Sequence, residues 1–175
     1  MVRRRSLIAL ALILVALPVA AQTAAPATPF GLLNGTEVAP GVLSAGQPTA
    51  AQLGELAKAG TKTIIDLRTA SEDRGFDEPA RAKELGLIYV NIPVTTDTLD
   101  AATITRFREA FAKAERPLVL HCASANRVGA LLYADLVLGG TSTDEALAKA
   151  KAAGLKNPAL EEKIKDVVAQ MPAKP

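Results

Sequence analysis

Cys122 and Arg127 are separated by four small or polar residues in the run Leu118-Val-Leu-His-Cys-Ala-Ser-Ala-Asn-Arg-Val-Gly-Ala130. The thiol follows an apolar strand-like stretch, and the arginine opens a helical one. Backbone N–H groups of a short loop and the positive end of the following helix then converge on one small volume. The same field favours thiolate over thiol. Arg127 adds a planar, permanently charged fork suited to a tetrahedral oxyanion. A cation at a helix N-terminus opposes the macrodipole, and a bound anion removes that conflict. The pattern predicts a cysteine nucleophile beneath an anion cradle. Ala123, Ser124, Ala125 and Asn126 line the cradle, and His121 tunes the thiolate through loop hydrogen bonds.

Composition narrows the alternatives. The 175 residues contain one cysteine and one histidine, side by side as His121-Cys122. That excludes an internal disulfide, a Cys-x-x-Cys redox pair and a His/Cys zinc cluster. A serine triad is unsupported for the same reason. Thiol chemistry of this kind calls for no metal or organic cofactor. Without tryptophan, and with 3% aromatic residues, the chain is poorly equipped to stack on single-stranded nucleic acid.

The first residues read as a targeting segment. Arg3, Arg4 and Arg5 precede an apolar run from Leu7 to Leu17, and Val19-Ala20-Ala21 offers a small-residue cleavage site. This is the layout of a secretory signal peptide over 1–21, with export to the periplasm expected. The apolar run is shorter than the roughly 20 residues that span a bilayer, so no stable membrane insertion is expected after cleavage. Removing three arginines takes the formal net charge from +2 to −1. The sequence pI near 8.8 therefore belongs to the leader, and the remaining chain has no electrostatic reason to bind nucleic acid. Residues 22–36, rich in Ala, Pro, Thr and Gly, read as a flexible linker, and 37–170 as one α/β domain.

The elements that must position the cysteine alternate. Val42-Leu43-Ser44 is a short strand candidate. Thr49 and Gln52 form a capping box for a helix that Gly60 stops. Thr63 to Leu67 reads as a buried strand, Leu87 to Val94 as the next. The charged stretch from Arg68 to Glu78 reads as a loop, with Pro79 in the first turn of a helix. Further helices are expected over 101–114 and 127–138, then after Ser142 and Asn157, with a strand at Pro117 to Leu120. This alternation predicts a mainly parallel central sheet flanked by helices. Sites in such sheets lie beyond the carboxyl ends of the strands, where Asp66, Asp97 and Cys122 fall. Asp66 with Arg68 reads as a structural pair.

Several stretches resemble the bacterial beta-lactamase hydrolase-like phosphatase domain, a small dual-specificity-phosphatase-like group. They are Val42-Leu-Ser-Ala-Gly-Gln-Pro-Thr49, Lys62-Thr-Ile-Ile-Asp-Leu-Arg68, Gly86-Leu-Ile-Tyr-Val-Asn-Ile-Pro93, and His121-Cys to Arg127-Val-Gly-Ala. The resemblance implies a cysteine-phosphatase fold and hydrolysis of a phosphate monoester through a Cys122 thiophosphate. It also implies a general acid on a separate loop, for which Asp97 is the candidate. Asp100 is its rival but reads as a helix N-cap; Asp73 and Glu72 are weaker candidates.

Three departures stand out. Cys-x4-Arg is one residue shorter than the phosphatase loop and equals the rhodanese loop, so sulfur transfer is the alternative. Ala125 replaces a usual glycine, and Val128 replaces a hydroxyl residue that helps the thiolate leave. The last two keep a non-catalytic anion-binding module in play.

Overall fold

The computed structural model describes residues 28–172. The expected signal peptide and its cleavage site lie outside the described residues. Among them no helix is long and apolar enough to cross a membrane.

Five strands form one sheet in the order β1 (Thr36–Ala39), β2 (Val42–Ala45), β5 (Leu118–His121), β3 (Thr63–Asp66) and β4 (Ile88–Asn91). All neighbours are parallel except β1, which pairs antiparallel with β2. The sheet is thus mainly parallel, as the alternating pattern predicts. Six α-helices flank it among the described residues: α1 (Ala50–Lys58), α2 (Glu78–Glu84), α3 (Ala101–Lys113), α4 (Asn126–Leu138), α5 (Thr143–Ala152) and α6 (Pro158–Gln170).

Side-chain alternation divides the strands between two cores. Ile65, Leu118 and Leu120 face Ile104 and Phe107 of α3, Leu131 of α4 and Ile164 of α6. Ile64 and Val119 face Leu53 and Leu56 of α1 and Ala82 of α2. The β5 strand is buried at every position, which matches a continuous apolar run in the middle of a covered parallel sheet. Local signals decide the helix starts: Thr49 and Gln52 form the complete capping box, and Asp77, Asp100, Ser142 and Asn157 each accept a backbone N–H from the first turn.

The linker over 22–36 needs correction where it is described. Leu32 is 1% exposed and packs in the α1 and α2 core. Leu33 accepts from the Gly46 N–H at 2.6 Å, and the Asn34 side chain donates to the Ser124 carbonyl at 3.1 Å. Strand β1 then opens at Thr36. Turn-forming composition masked a segment fixed by one apolar anchor and long-range backbone contacts.

Candidate active site

Cys122 ends the central strand, and its loop is tied from behind. The Gln47 N–H donates to the Ala123 carbonyl at 3.3 Å, Gly46 bridges to Ser124, and Asn34 holds the Ser124 carbonyl. A Cβ on Gly46 would meet the Ala123 carbonyl oxygen at 2.9 Å. The Gly-Gln-Pro stretch is therefore the rear support of the nucleophile loop. Ala125 closes the loop at φ 68°, the left-handed region, and stands as N-cap of α4 with no side-chain cap. A capping hydroxyl or carboxylate would compete with a ligand for the first N–H groups of that helix.

Arg127 is oriented by a residue that sequence reasoning treated only as a weak acid candidate. Glu72 accepts from Nη1 at 2.6 Å and from Nη2 at 2.7 Å. Nη1 also donates to the Val94 carbonyl at 3.0 Å and lies 3.3 Å from the Leu67 carbonyl oxygen. A guanidinium has five N–H donors. These contacts leave the second Nη2 proton and Nε–H, which are adjacent and form one two-pronged edge. That edge is the bidentate geometry an oxyanion uses. Burial lowers the Arg127 pKa, but Glu72 and Cys122 beside it outweigh burial and hold it above its ordinary value. Glu72 in turn is brought down to about 2, mainly by its bonds from Arg127, against burial.

The remaining predicted residues divide. Cys122, Ala123, Ser124, Ala125, Asn126 and Arg127 make up one loop and the first turn of α4. Within it Asn126 is a tie: its Nδ2 reaches Ser124 Oγ at 3.1 Å, and its Oδ1 accepts from the backbone of Lys156 and Asn157 at 2.7 and 2.8 Å. His121 departs from its expected place among the substrate contacts. It is fully buried, neither ring nitrogen makes a hydrogen bond, and Nε2 lies 3.1 Å from Glu78 Oε1. Alternation along β5 turns its ring to the face away from Cys122.

Asp97 is exposed on the Val94–Asp100 loop, shaped by reciprocal Thr95 and Thr98 hydrogen bonds. Val94 on the same loop touches Arg127. Asp100 caps α3 through the Thr103 N–H at 2.7 Å, as its helix-start position implies. Val128 is fully buried, so the helix turn beside Arg127 offers no side-chain hydroxyl.

Asp66, Glu78 and His121 bring one ligand-type atom each within 4.8 Å of one another. The Arg68 guanidinium already bonds both carboxylates. A metal cation there would face a fixed positive charge, so this cluster does not suit one.

Comparison with known proteins adds the lineage. The sequence model described as "DSP-PTPase phosphatase fused to NAD+ Kinase" matches residues 33–166. The chain belongs to this family. Beta-lactamase hydrolase-like proteins of Agrobacterium fabrum and Xylella fastidiosa are 34% identical over 100 and 115 residues, covering 55% and 62% of this chain. The match covers 23% and 26% of those relatives, so the chain spans about a quarter of their length. Among solved structures, P. aeruginosa TpbA in complex with pTyr superposes with a TM-score of 0.65 at 18% identity, covering 87% of this chain and 92% of that one. The catalytic domain of the S. cerevisiae PP-IP phosphatase SIW14 gives 0.64 at 14%, covering 77% and 85%. The fold of this dual-specificity-type domain is that of the cysteine-dependent phosphatases.

Proposed function

We propose that the domain hydrolyses phosphate monoesters through Cys122. The observation that carries this is the free two-pronged edge of Arg127, held by Glu72 beside an uncapped helix start and the cysteine. The phosphoryl group binds with its equatorial oxygens on that edge and on the loop N–H groups. The Cys122 thiolate attacks phosphorus, the ester oxygen departs with a proton from Asp97, and a thiophosphate forms. Asp97, now a carboxylate, takes a proton from water, which attacks phosphorus and releases phosphate and the thiolate. Ala123, Ser124, Ala125 and Asn126 contribute loop backbone to the cradle. The pTyr complex of TpbA supports an oxyanionic substrate of this type.

The N-terminal Arg cluster, apolar run and small-residue site support export with cleavage before Gln22. Sequencing the mature N-terminus checks this; an intact Met1 on the soluble protein from inside the cell refutes it.

The loop length of Cys-x4-Arg favours one competing activity, sulfur transfer with a Cys122 persulfide. A parallel assay of p-nitrophenyl phosphate and of thiosulfate with cyanide separates the two. Phosphate release that disappears in Cys122→Ser is expected. Cys122-dependent thiocyanate formation with no phosphate release would replace the phosphatase reading.

A further inference from the structure

Along the outer edge of the sheet, β1, α4 and α5 border a cavity of about 420 Å³. That volume suits a small organic ligand. Val38, Ala39, Phe111, Leu132 and Leu136 supply apolar walls. The pairing of β1 with β2 shifts register between Glu37 and Ala39. Such a bulge re-aims side chains, and here the consecutive residues Glu37, Val38 and Ala39 all line the cavity. The end of β1 at Ala39 is remote from Cys122. Ala39 pairs with Val42 and Val42 with Leu118, which opens the strand whose far end Cys122 follows.

Four charged side chains reach the cavity: Glu37, Arg116, Asp135 and Lys149. Two are already matched. Asp135 accepts from Arg108 Nε at 2.9 Å, and Lys149 Nζ lies 2.8 Å from Glu145 Oε1. Among the described residues, Glu37 and Arg116 form no ion pair. Glu37 Oε1 accepts the Gly41 N–H at 3.0 Å, which leaves Oε2 open. The Arg116 guanidinium stands over the Phe111 ring, 5.3 Å from its centroid, and Phe111 stacks on Phe107. Stacking holds the guanidinium by its face and leaves its N–H edge for an acceptor. Gly41 brings the two charges to one end of the cavity. Its N–H holds Glu37, and a Cβ on it would stand 3.8 Å from Arg116 Cβ. Opposite charges thus flank one turn without pairing.

We propose that this cavity binds a free α-amino acid with a large apolar side chain. The ligand carboxylate meets the N–H edge of Arg116, the two-pronged geometry a carboxylate favours. The ligand ammonium donates to Glu37 Oε2. The apolar side chain lies against Val38, Leu132 and Leu136, where leaving water is favourable. A zwitterion answers both unmatched charges at once. An apolar anion would leave Glu37 unmatched and be repelled by it, and an apolar cation would stand in the same relation to Arg116. The site uses neither Cys122 nor the loop around it.

An amide NMR titration of the full chain with L-phenylalanine, hydrocinnamate and phenethylamine compares three probes that share one apolar body. Phenylalanine should shift the amides of Val38, Ala39, Leu132 and Leu136 saturably. It should bind about fivefold more tightly than either singly charged analogue, the upper range for a solvent-facing ion pair. Arg116→Gln should weaken phenylalanine and hydrocinnamate but not phenethylamine; Glu37→Gln should weaken phenylalanine and phenethylamine but not hydrocinnamate. Ala152→Trp, which fills the cavity from an exposed position on α5, should abolish all three. The absence of saturable shifts at millimolar phenylalanine overturns the proposal. So does hydrocinnamate binding as tightly as phenylalanine, which would make the ligand an apolar anion. Shifts of the same amides with protein concentration alone, lost in Ala152→Trp, would make the groove an interface between two copies and also refute it. If a variant fails to fold, the three probes on the wild-type chain decide.

Discussion

Glu72 and Arg127 meet end-on, two carboxylate oxygens against two guanidinium nitrogens at 2.6 and 2.7 Å. They come from opposite ends of the chain's functional stretch, the charged loop after β3 and the first turn of α4. The pair fixes where the cradle's cation stands before any ligand arrives.

That pairing has a pH signature. The Glu72 carboxyl sits at about 2 in the folded protein against 4.5 for the reference value. A depressed folded pKa adds stability above the unfolded value, and the gain is lost as pH falls from about 4.5 towards 2. Glu72 is partly exposed, so the contribution is about 2 kcal/mol. Urea unfolding at pH 7 and pH 3 should therefore show a smaller acid loss in Glu72→Gln than in wild type. Equal losses would mean the pair contributes nothing.

Arg127→Lys should bind sulfate or vanadate about 10- to 150-fold more weakly, the range for losing charge-assisted hydrogen bonds of about 1.5–3 kcal/mol. Lysine keeps the charge but has no two-pronged edge and cannot meet Glu72 end-on. Calorimetry on the folded variant checks it; wild-type affinity would place the cradle elsewhere.

Ala125 occupies a left-handed conformation at φ 68°. An L-residue with a Cβ pays about 1–2 kcal/mol there, and glycine does not. Ala125→Gly should be more stable by about 0.5–1 kcal/mol, because the glycine's extra freedom in the unfolded chain offsets part of the gain. A lower melting temperature would show that the methyl group contributes packing that outweighs the strain.

Asp97→Asn should slow hydrolysis of an alkyl phosphate by about 10²–10⁴, with an activated aryl phosphate less affected. Asp100→Asn should keep the rate and lose at most about 1 kcal/mol of stability, since its carboxylate caps α3. The reverse pattern would move the acid to Asp100.

The helices, the parallel strands and the Cys-to-Arg loop were legible in the sequence because each rests on local signals: capping residues, β-branched runs, a strand-loop-helix spacing. Glycine's absence at position 125 even pointed to the strained backbone found there. Glu72 was not legible as Arg127's partner, because 55 residues separate them and only the parallel stacking of β3 beside β5 joins their loops. Glu78 was assigned to a charged loop's end, whereas it opens α2 and is fully buried. An acid at a helix start is ordinarily a solvated partner of the macrodipole. Only the fold reveals Arg68 and His121 waiting beneath it. Strand β1 escaped notice because it is half-buried at an edge, where four residues of mixed polarity carry no period.

The stitching of the nucleophile loop by Asn34, Gln47 and Asn126 has a thermodynamic consequence. Two outside segments, at Asn34 and at Gly46-Gln47, hold its carbonyls, and its own Asn126 is tied to the backbone of Lys156 and Asn157, which leaves its N–H groups little freedom to lose when an anion arrives. Association should therefore be preorganised, with a small conformational entropy penalty and a favourable enthalpy from ready-aligned donors.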